Sequence, residues 1–340
     1  MKALVTGGGG FLGRYIVEQL LARGDQVTVF TRGAYPEFAD AGALVVRGDL
    51  QDTQAVRAAC EGIEVVYHVA SKTGYWGTRE SFYGANVAGT QNVIAACQTQ
   101  GVPKLVYTST PSVVFDNRPH EGCDESLPYA GHYESFYAET KAIAERMVRD
   151  ANDMDGLLTV SLRPHLIFGP RDPHIIPRVI ARAGKGFVPQ IGDGTNVIDL
   201  TYVEDAARAH LLAADALTPG SPAAGSVYFI TQDDPVKAWE WLNTLLVSLG
   251  YRPVRGKVSL SAALVACTFL EFIYRVLPLK GEPPISRLVA NELAMSHYYD
   301  ISRAKRDLGY HPQLGTYEAL QRTVAYLKGT PAAGTTEERE

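Results

Sequence analysis

Tyr137 and Lys141 stand four residues apart in Tyr137-Ala138-Glu139-Thr140-Lys141, inside a helical run expected from about Glu134 to Arg149. That spacing puts both side chains on one helix face, offset by about 40°. A phenol is too weak an acid to act as a base at neutral pH unaided. An ammonium one turn away favours the phenolate. Upstream, the strand Lys104–Tyr107 ends in Thr108-Ser109-Thr110, and a hydroxyl from Ser109 or Thr110 is placed to hold a substrate oxygen. Together these groups can move a proton on or off a secondary alcohol. Alone, a Tyr-x-x-x-Lys pair usually marks a solvated helix face, so its meaning depends on the elements around it.

Those elements begin at residue 1. Ala3-Leu4-Val5 is a short apolar run, as expected of a strand buried on both faces of a parallel sheet. It leads into Gly7-Gly8-Gly9-Gly10-Phe11-Leu12-Gly13, after which Tyr15, Ile16, Leu20 and Leu21 recur at helical spacing. Strand, glycine turn and helix set backbone N–H groups and a helix N-terminus against a pyrophosphate. Gly7 makes the tight turn, Gly10 lets the backbone approach the phosphate, and Gly13 lets the helix pack close. The second strand, Gln26–Thr31, ends at Arg32, where an acid would accept from an adenosine 2′-hydroxyl. An arginine there pairs with a 2′-phosphate, so NADP is expected ahead of NAD. After the third strand, Asp49 is placed either to accept from the adenine amino group or to cap the helix starting near Asp52. His68 lies inside an apolar strand and reads as a hydrogen-bonded structural histidine. Residues 80–100 read as one helix with Phe82, Ala85, Asn86, Gly89, Thr90, Val93 and Cys97 on its inner face. Asn86, the polar member, needs partners in the core or at a cofactor.

The chain of 340 residues is 46% hydrophobic, enough for a large core in one or two domains. A net charge of −5 without a basic block argues against a nucleic-acid partner. Cys60, Cys97, Cys123 and Cys267 lie far apart and form no metal spacing; they read as small apolar core residues, and no metal is expected. A first strand beginning at residue 2 leaves no signal segment, so the expected compartment is the reducing cytoplasm.

Strand–helix alternation runs to about residue 170, the expected dinucleotide-binding domain, to which the chain returns at about 197–231. Residues 171–196 and 232–328 are expected to form the substrate-binding region, and 329–340 a disordered tail. Within the second region, 260–277 is rich in large apolar residues: Leu260, Leu264, Phe269, Leu270, Phe272, Ile273, Tyr274, Val276 and Leu277. Glu271 and Arg275 interrupt it as an i, i+4 pair, which argues against a spanning helix. A buried helix walling a deep apolar pocket is the first expectation for 260–279. A peripheral membrane contact is the second.

The motifs TGGGGFLG, RGDL, NVAGTQNV, YTSTPSVVF, YAETKAIAE, LRPHLIFGPRDP and HYYDISRAKRDLGY together resemble the extended short-chain dehydrogenase/reductases, and within them the 3β-hydroxysteroid dehydrogenase group, over roughly residues 1–328. LRPHLIFGPRDP and GDGTNVIDLTYVEDAARAH are similar to the sterol-4α-carboxylate 3-dehydrogenases. FTRGAYPE, ASKTGYWG and GEPPISRLVANEL are similar to the bacterial 2-alkyl-3-oxoalkanoate reductases. The resemblance implies an α/β Rossmann-type doubly wound parallel sheet with a smaller, mainly helical C-terminal substrate region. It makes Tyr137 the general acid/base and Lys141 the group that binds the nicotinamide ribose and lowers the phenol's pKa. Thr110 stands where many members carry Ser, with Ser109 beside it. It implies a pyrophosphate turn of Gly7, Gly10 and Gly13, with Phe11 and Leu12 in it, and Asp49 and Leu50 flanking the adenine. Ala70 and Asn86 are further cofactor contacts, and Pro164 and Ile167 lie near the carboxamide. The implied reaction is NAD(P)-dependent hydride exchange at a 3-hydroxy or 3-oxo carbon of a large apolar substrate. Analogy with the group also implies a homodimer. Two alternatives remain: a nucleotide-sugar epimerase or dehydratase on the same fold, and a cofactor sensor without turnover.

Overall fold

The structure, a computed structural model, describes residues 1–74, 76–184, 189–277 and 283–329, with the side chain of Arg275 also outside the description. Seven parallel strands form the central sheet: β1 (Lys2–Thr6), β2 (Gln26–Thr31), β3 (Leu44–Arg47), β4 (Val65–His68), β5 (Lys104–Thr108), β6 (Leu158–Pro164) and β7 (Val227–Ile230). Their order is β3-β2-β1-β4-β5-β6-β7. The order reverses between β1 and β4, which pair from Ala3–Val65 to Thr6–His68. A crevice at the carboxyl ends of these two strands is where open parallel sheets bind ligands. β1, β4 and β5 are nearly all apolar because helices cover both faces; Leu4, Val5, Val66, Tyr67, Leu105 and Val106 are all buried.

Six helices matter for the site: α1 (Phe11–Arg23), α2 (Gly89–Gln100), α3 (Phe136–Asp150), α4 (Val203–Ala216), α5 (Leu260–Val276) and α6 (Arg287–Ala294). Gly24, in the left-handed region at φ 86°, ends α1. Ser135 starts α3 by accepting from the Ala138 N–H at 3.2 Å. The single helix expected over 80–100 is instead broken by a wide π turn at Tyr83–Ala88. The cause is contact with the loop after β3. A Cβ on Gly84 would fall 2.6 Å from Gln51 Oε1, and one on Gly89 would fall 2.9 Å from Leu50 Cβ. Such turns gather at functional sites, and this one carries Asn86.

α5 differs from the buried helix expected. Val265, Phe269, Phe272 and Val276 lie at i, i+4, i+7 and i+11, and each is more than 60% exposed. Its opposite face holds buried Ala263 and Cys267, and Tyr274 meets Trp76 of the loop after β4 edge to face at 6.1 Å. Glu271 pairs with Arg287 of α6 at 3.2 Å. The Glu271–Arg275 pairing and residues 278–279 of the expected wall fall outside the described residues, as do residues 330–340 of the tail.

Candidate active site

The glycine turn is built by contact. Gly7 sits at φ 70°, and a Cβ there would lie 2.7 Å from Ala70 Cα. A Cβ on Gly13 would lie 2.2 Å from the Gly7 carbonyl oxygen. Only glycine lets α1 press this close to β1 and β4. Gly10 precedes α1, no side chain caps that end, and its first turn carries no acid. Leu12 is buried and Phe11 half-buried beside it. The free N–H groups and the positive end of the helix therefore face the crevice, a fit for a pyrophosphate. Ala70 closes the crevice, its N–H donating to Thr6 Oγ1 at 3.2 Å.

The adenosine end is more crowded than the sequence suggests. Arg32 is exposed. Arg14, on the first turn of α1, bonds Glu37 at 2.7 Å. The ring of Tyr35 packs on the turn, so that a Cβ on Gly9 would fall 2.1 Å from its Cζ. Asp49 accepts from the Gln51 N–H at 2.9 Å. The helix cap is Asp52, which accepts from Gln54 and Ala55. Leu50 gives its carbonyl to Asn92 at 2.8 Å.

His68 is structural, held between Thr6 Oγ1 at 2.8 Å and Thr90 Oγ1 at 2.9 Å. Asn86 is buried and engaged with protein. Its Oδ1 accepts from the Lys72 N–H at 2.7 Å, and its Nδ2 donates to the Lys72 carbonyl and to Thr140 Oγ1. It ties the loop after β4 to α3, the helix that carries Tyr137.

The three hydroxyls after β5 point to different neighbours. Thr108 Oγ1 meets His210 Nε2 at 2.8 Å. Ser109 lies beside the Glu145 carboxylate, although its Oγ makes no well-formed hydrogen bond. Thr110 is within hydrogen-bonding reach of the Tyr137 phenol. It also donates to Ser112 Oγ at 3.2 Å and accepts from the Ser112 N–H at 3.3 Å.

Tyr137 and Lys141 share a face of α3. The Lys141 ammonium donates to the Thr108 carbonyl and sits 4.1 Å over the Tyr107 ring. Glu145, one turn further, is taken by Arg163 in a buried two-point bond of 2.9 and 2.6 Å. Burial, only partly offset by Glu145, brings Lys141 down to about 7. Burial takes Tyr137 up to about 12, against the Thr110 hydrogen bond and with the Glu292 charge. As it stands, the Tyr137 phenol keeps its proton at neutral pH.

Pro164 ends β6 and is buried. Ile167 pairs with Thr201 in a short parallel ladder. The rest of LRPHLIFGPRDP anchors the chain to α1: Tyr15 donates to the Pro170 carbonyl at 2.8 Å, and Arg171 bonds both Glu18 oxygens at 2.7 Å. Next to Thr110 the structure adds residues the sequence did not single out, Ser112, Glu292 and His297. No spacing signals them, because they lie up to 187 positions apart (297 less 110).

The pattern of the 3-beta hydroxysteroid dehydrogenase/isomerase family matches residues 4–260. The chain is 45% identical over 332 residues to a 2-alkyl-3-oxoalkanoate reductase of Shewanella oneidensis, covering 96% of this chain and 86% of that one. It is 38% identical to the decarboxylating sterol-4-alpha-carboxylate 3-dehydrogenase of Mus musculus, covering 95% and 90%. Among solved structures, the Thermus thermophilus UDP-glucose 4-epimerase complex with NAD matches with a TM-score of 0.73 at 28% identity, covering 97% and 100%. The chain, an oxidoreductase, belongs to the 3-beta hydroxysteroid dehydrogenase/isomerase family.

Proposed function

We propose that this enzyme reduces a 3-oxo group, or oxidises the matching 3-hydroxy group, on a bulky lipid that carries a carboxyl on the neighbouring carbon, and that it prefers NADP. The observation that carries the reading is the phenol of Tyr137, half-buried beside Thr110 at the carboxyl end of β5, on a sheet whose crevice suits a pyrophosphate. Both relatives named above carry an oxo-acid or a sterol carboxylate in their names. The nicotinamide, when bound, gives or takes the hydride. Thr110 orients the oxygen of the reacting carbon, and Tyr137 gives it a proton in reduction or takes one in oxidation. The phenol's high pKa favours the donor role. Lys141, close to neutrality in its burial, can lend or withhold charge with little energetic cost. Gly7, Gly10 and Gly13 bring the backbone to the pyrophosphate, and Arg32 supplies the charge for a 2′-phosphate.

The lipid substrate bears on location. No described helix is long and apolar enough to cross a membrane. The exposed stripe of α5 follows exposed Arg252, Arg255 and Lys257 in the chain, a sequence of cationic then apolar exposed residues that suits an anionic lipid surface. We place the enzyme in the cytoplasm with this face against the bilayer. An assay following NADPH and NADH absorbance with 3-oxo acids, 3-keto sterols and UDP-sugars tests the function. Turnover of an oxo-acid or keto-sterol supports it, and turnover of UDP-sugars alone overturns it.

A further inference from the structure

Thr110 opens onto a cavity of about 70 Å³ lined by Ser112, His165, Leu166, Glu292 and His297. At roughly 30 Å³ per water in the liquid, this is space for about two waters. It is too small for an alkyl arm, and its polar side chains share the lining with Pro111, Phe115 and Leu166. Leu166 turns the chain there in the left-handed region, at φ 42°. A bulky residue in that conformation is strained, and such strain gathers at functional sites.

The hydrogen bonds fix the charge behind the cavity. His165 Nδ1 meets Asp199 Oδ1 at 2.5 Å, and His165 Nε2 meets His297 Nδ1 at 3.1 Å. His297 Nε2 meets the Glu292 carbonyl at 2.8 Å. A carboxylate and a carbonyl both only accept, so the two outer nitrogens carry hydrogens. One more hydrogen must lie between the rings. Three hydrogens on two imidazoles make one positive charge, neutralised by Asp199. Burial and the neighbouring His165 hold His297 down at about 3. Tyr299 closes the group behind, its N–H donating to Asp199 Oδ2 at 2.8 Å and its hydroxyl lying 3.4 Å from His120, which pairs with Asp116.

At the front are two further polar groups. Ser112 Oγ lines the cavity and hydrogen-bonds Thr110 Oγ1 at 3.2 Å. The Glu292 carboxyl has no hydrogen-bond partner among the described residues, and burial pushes it up to about 7 against the opposing pull of His165. The charged or titratable groups facing it are Tyr137 from α3, His165 from the end of β6, and His297 and Tyr299 from the segment after its own helix; Arg287 on α6 is taken by Glu271.

We propose that this cavity is a carboxylate subsite, holding the acid group borne by the carbon next to the one that reacts, with the Glu292 carboxyl and the Ser112 hydroxyl as its partners and the positive charge shared by the His165–His297 pair behind them. The assignment rests on the function proposed above. With the substrate oxygen at Tyr137 and Thr110, a carboxyl one carbon away reaches the cavity beside Thr110. An ionised Glu292 would repel it, so binding holds a proton between two carboxyls. The site then selects acids over neutral ketones and loses that preference as Glu292 ionises.

The test uses a long-armed 2-alkyl-3-hydroxyalkanoate and the matching secondary alcohol without the carboxyl, with the cofactor-loaded enzyme. KM for each is measured from about pH 5.5 to 8.5, and calorimetry in buffers of different ionisation enthalpy counts protons taken up on binding the acid. The ratio of the two KM values removes effects of Tyr137 and Lys141, which act on both compounds. The account expects KM for the acid, relative to the alcohol, to rise towards tenfold per pH unit above about 7, with proton uptake at pH 7.5. Glu292→Gln should flatten that rise while keeping a donor. Ser112→Ala should weaken the acid about tenfold and leave the alcohol unmoved. A flat ratio in the wild type, or equal effects of both variants on acid and alcohol, overturns the subsite. Should neither compound turn over, the proposed function fails. The calorimetry still decides the subsite, since absence of acid binding or of proton uptake counts against it.

Discussion

On the cofactor side of Tyr137, the groups that shape the crevice come from short continuous runs: residues 6–13, 68–70 and 108–110. On the substrate side they come from Ser112, His165, Glu292 and His297, on three segments far apart in the chain. The first side is made by backbone: glycines that admit no Cβ and a helix end that nothing caps. The second is made by side chains whose charge is set by each other. A backbone site is specified by residue types at fixed offsets, and a side-chain site only by the folded arrangement. The difference separates what fixes the cofactor from what selects the substrate, and each can be broken without the other.

The largest effect falls between the two sides. Tyr137→Phe should lower turnover by about 10³-fold, within the usual range for a lost general acid–base group. Cofactor affinity, read by fluorescence titration, should stay within about twofold by the same argument that the phenol serves proton transfer. A variant that keeps its turnover would move the proton donor elsewhere. On the cofactor side alone, Arg32→Ala should weaken NADPH about tenfold and NADH hardly at all, as one charge-assisted contact is lost. Equal weakening would place the 2′-phosphate against another group. On the substrate side, catalytic efficiency should rise about fourfold for each methylene added to a 3-oxo acid until the apolar site is filled, following about 0.8 kcal/mol per buried CH₂. A flat series would remove the apolar substrate body from the account. The smallest effect on the fold concerns α5. Phe269→Ser with Phe272→Ser should shift stability by less than about 0.5 kcal/mol each, since both side chains are solvent-facing. The same pair should release the protein from vesicles containing anionic lipid in a sedimentation assay. Unchanged sedimentation would mean that this face does not meet the bilayer.

Reading the sequence recovers the parts of this molecule that depend on local offsets. The sheet follows from apolar runs alternating with helical periods, and the turn from glycines between a strand and a helix. His68 and the buried Cys60 and Cys97 follow from their place within apolar elements. What escapes needs the third dimension. The π turn at Asn86 arises from Gly84 and Gly89 pressing on a loop some thirty-five residues earlier (84 less 49). Lys141 shares its face with Tyr137 as the spacing requires, yet its direction is set by the Thr108 carbonyl and by Arg163, which removes Glu145 from it. Apolar content at 260–277 indicates a helix but not which side is covered, and five large side chains there face outward. Glu292 carries no sign of its role, because a glutamate in a helix is ordinarily a solvated one.

The central claim is net hydride exchange at the substrate's 3-carbon, as opposed to the internal return of hydride that an epimerase performs on the same fold. Incubation with NADPH carrying deuterium at the transferable position of the nicotinamide, and with a long-armed 2-alkyl-3-oxo acid, tests it directly by mass and NMR analysis of the product. The account predicts one deuterium at carbon 3 of a 3-hydroxy acid, one NADPH consumed per product formed, and loss of both in Tyr137→Phe. Unlabelled product with the cofactor unconsumed would contradict it.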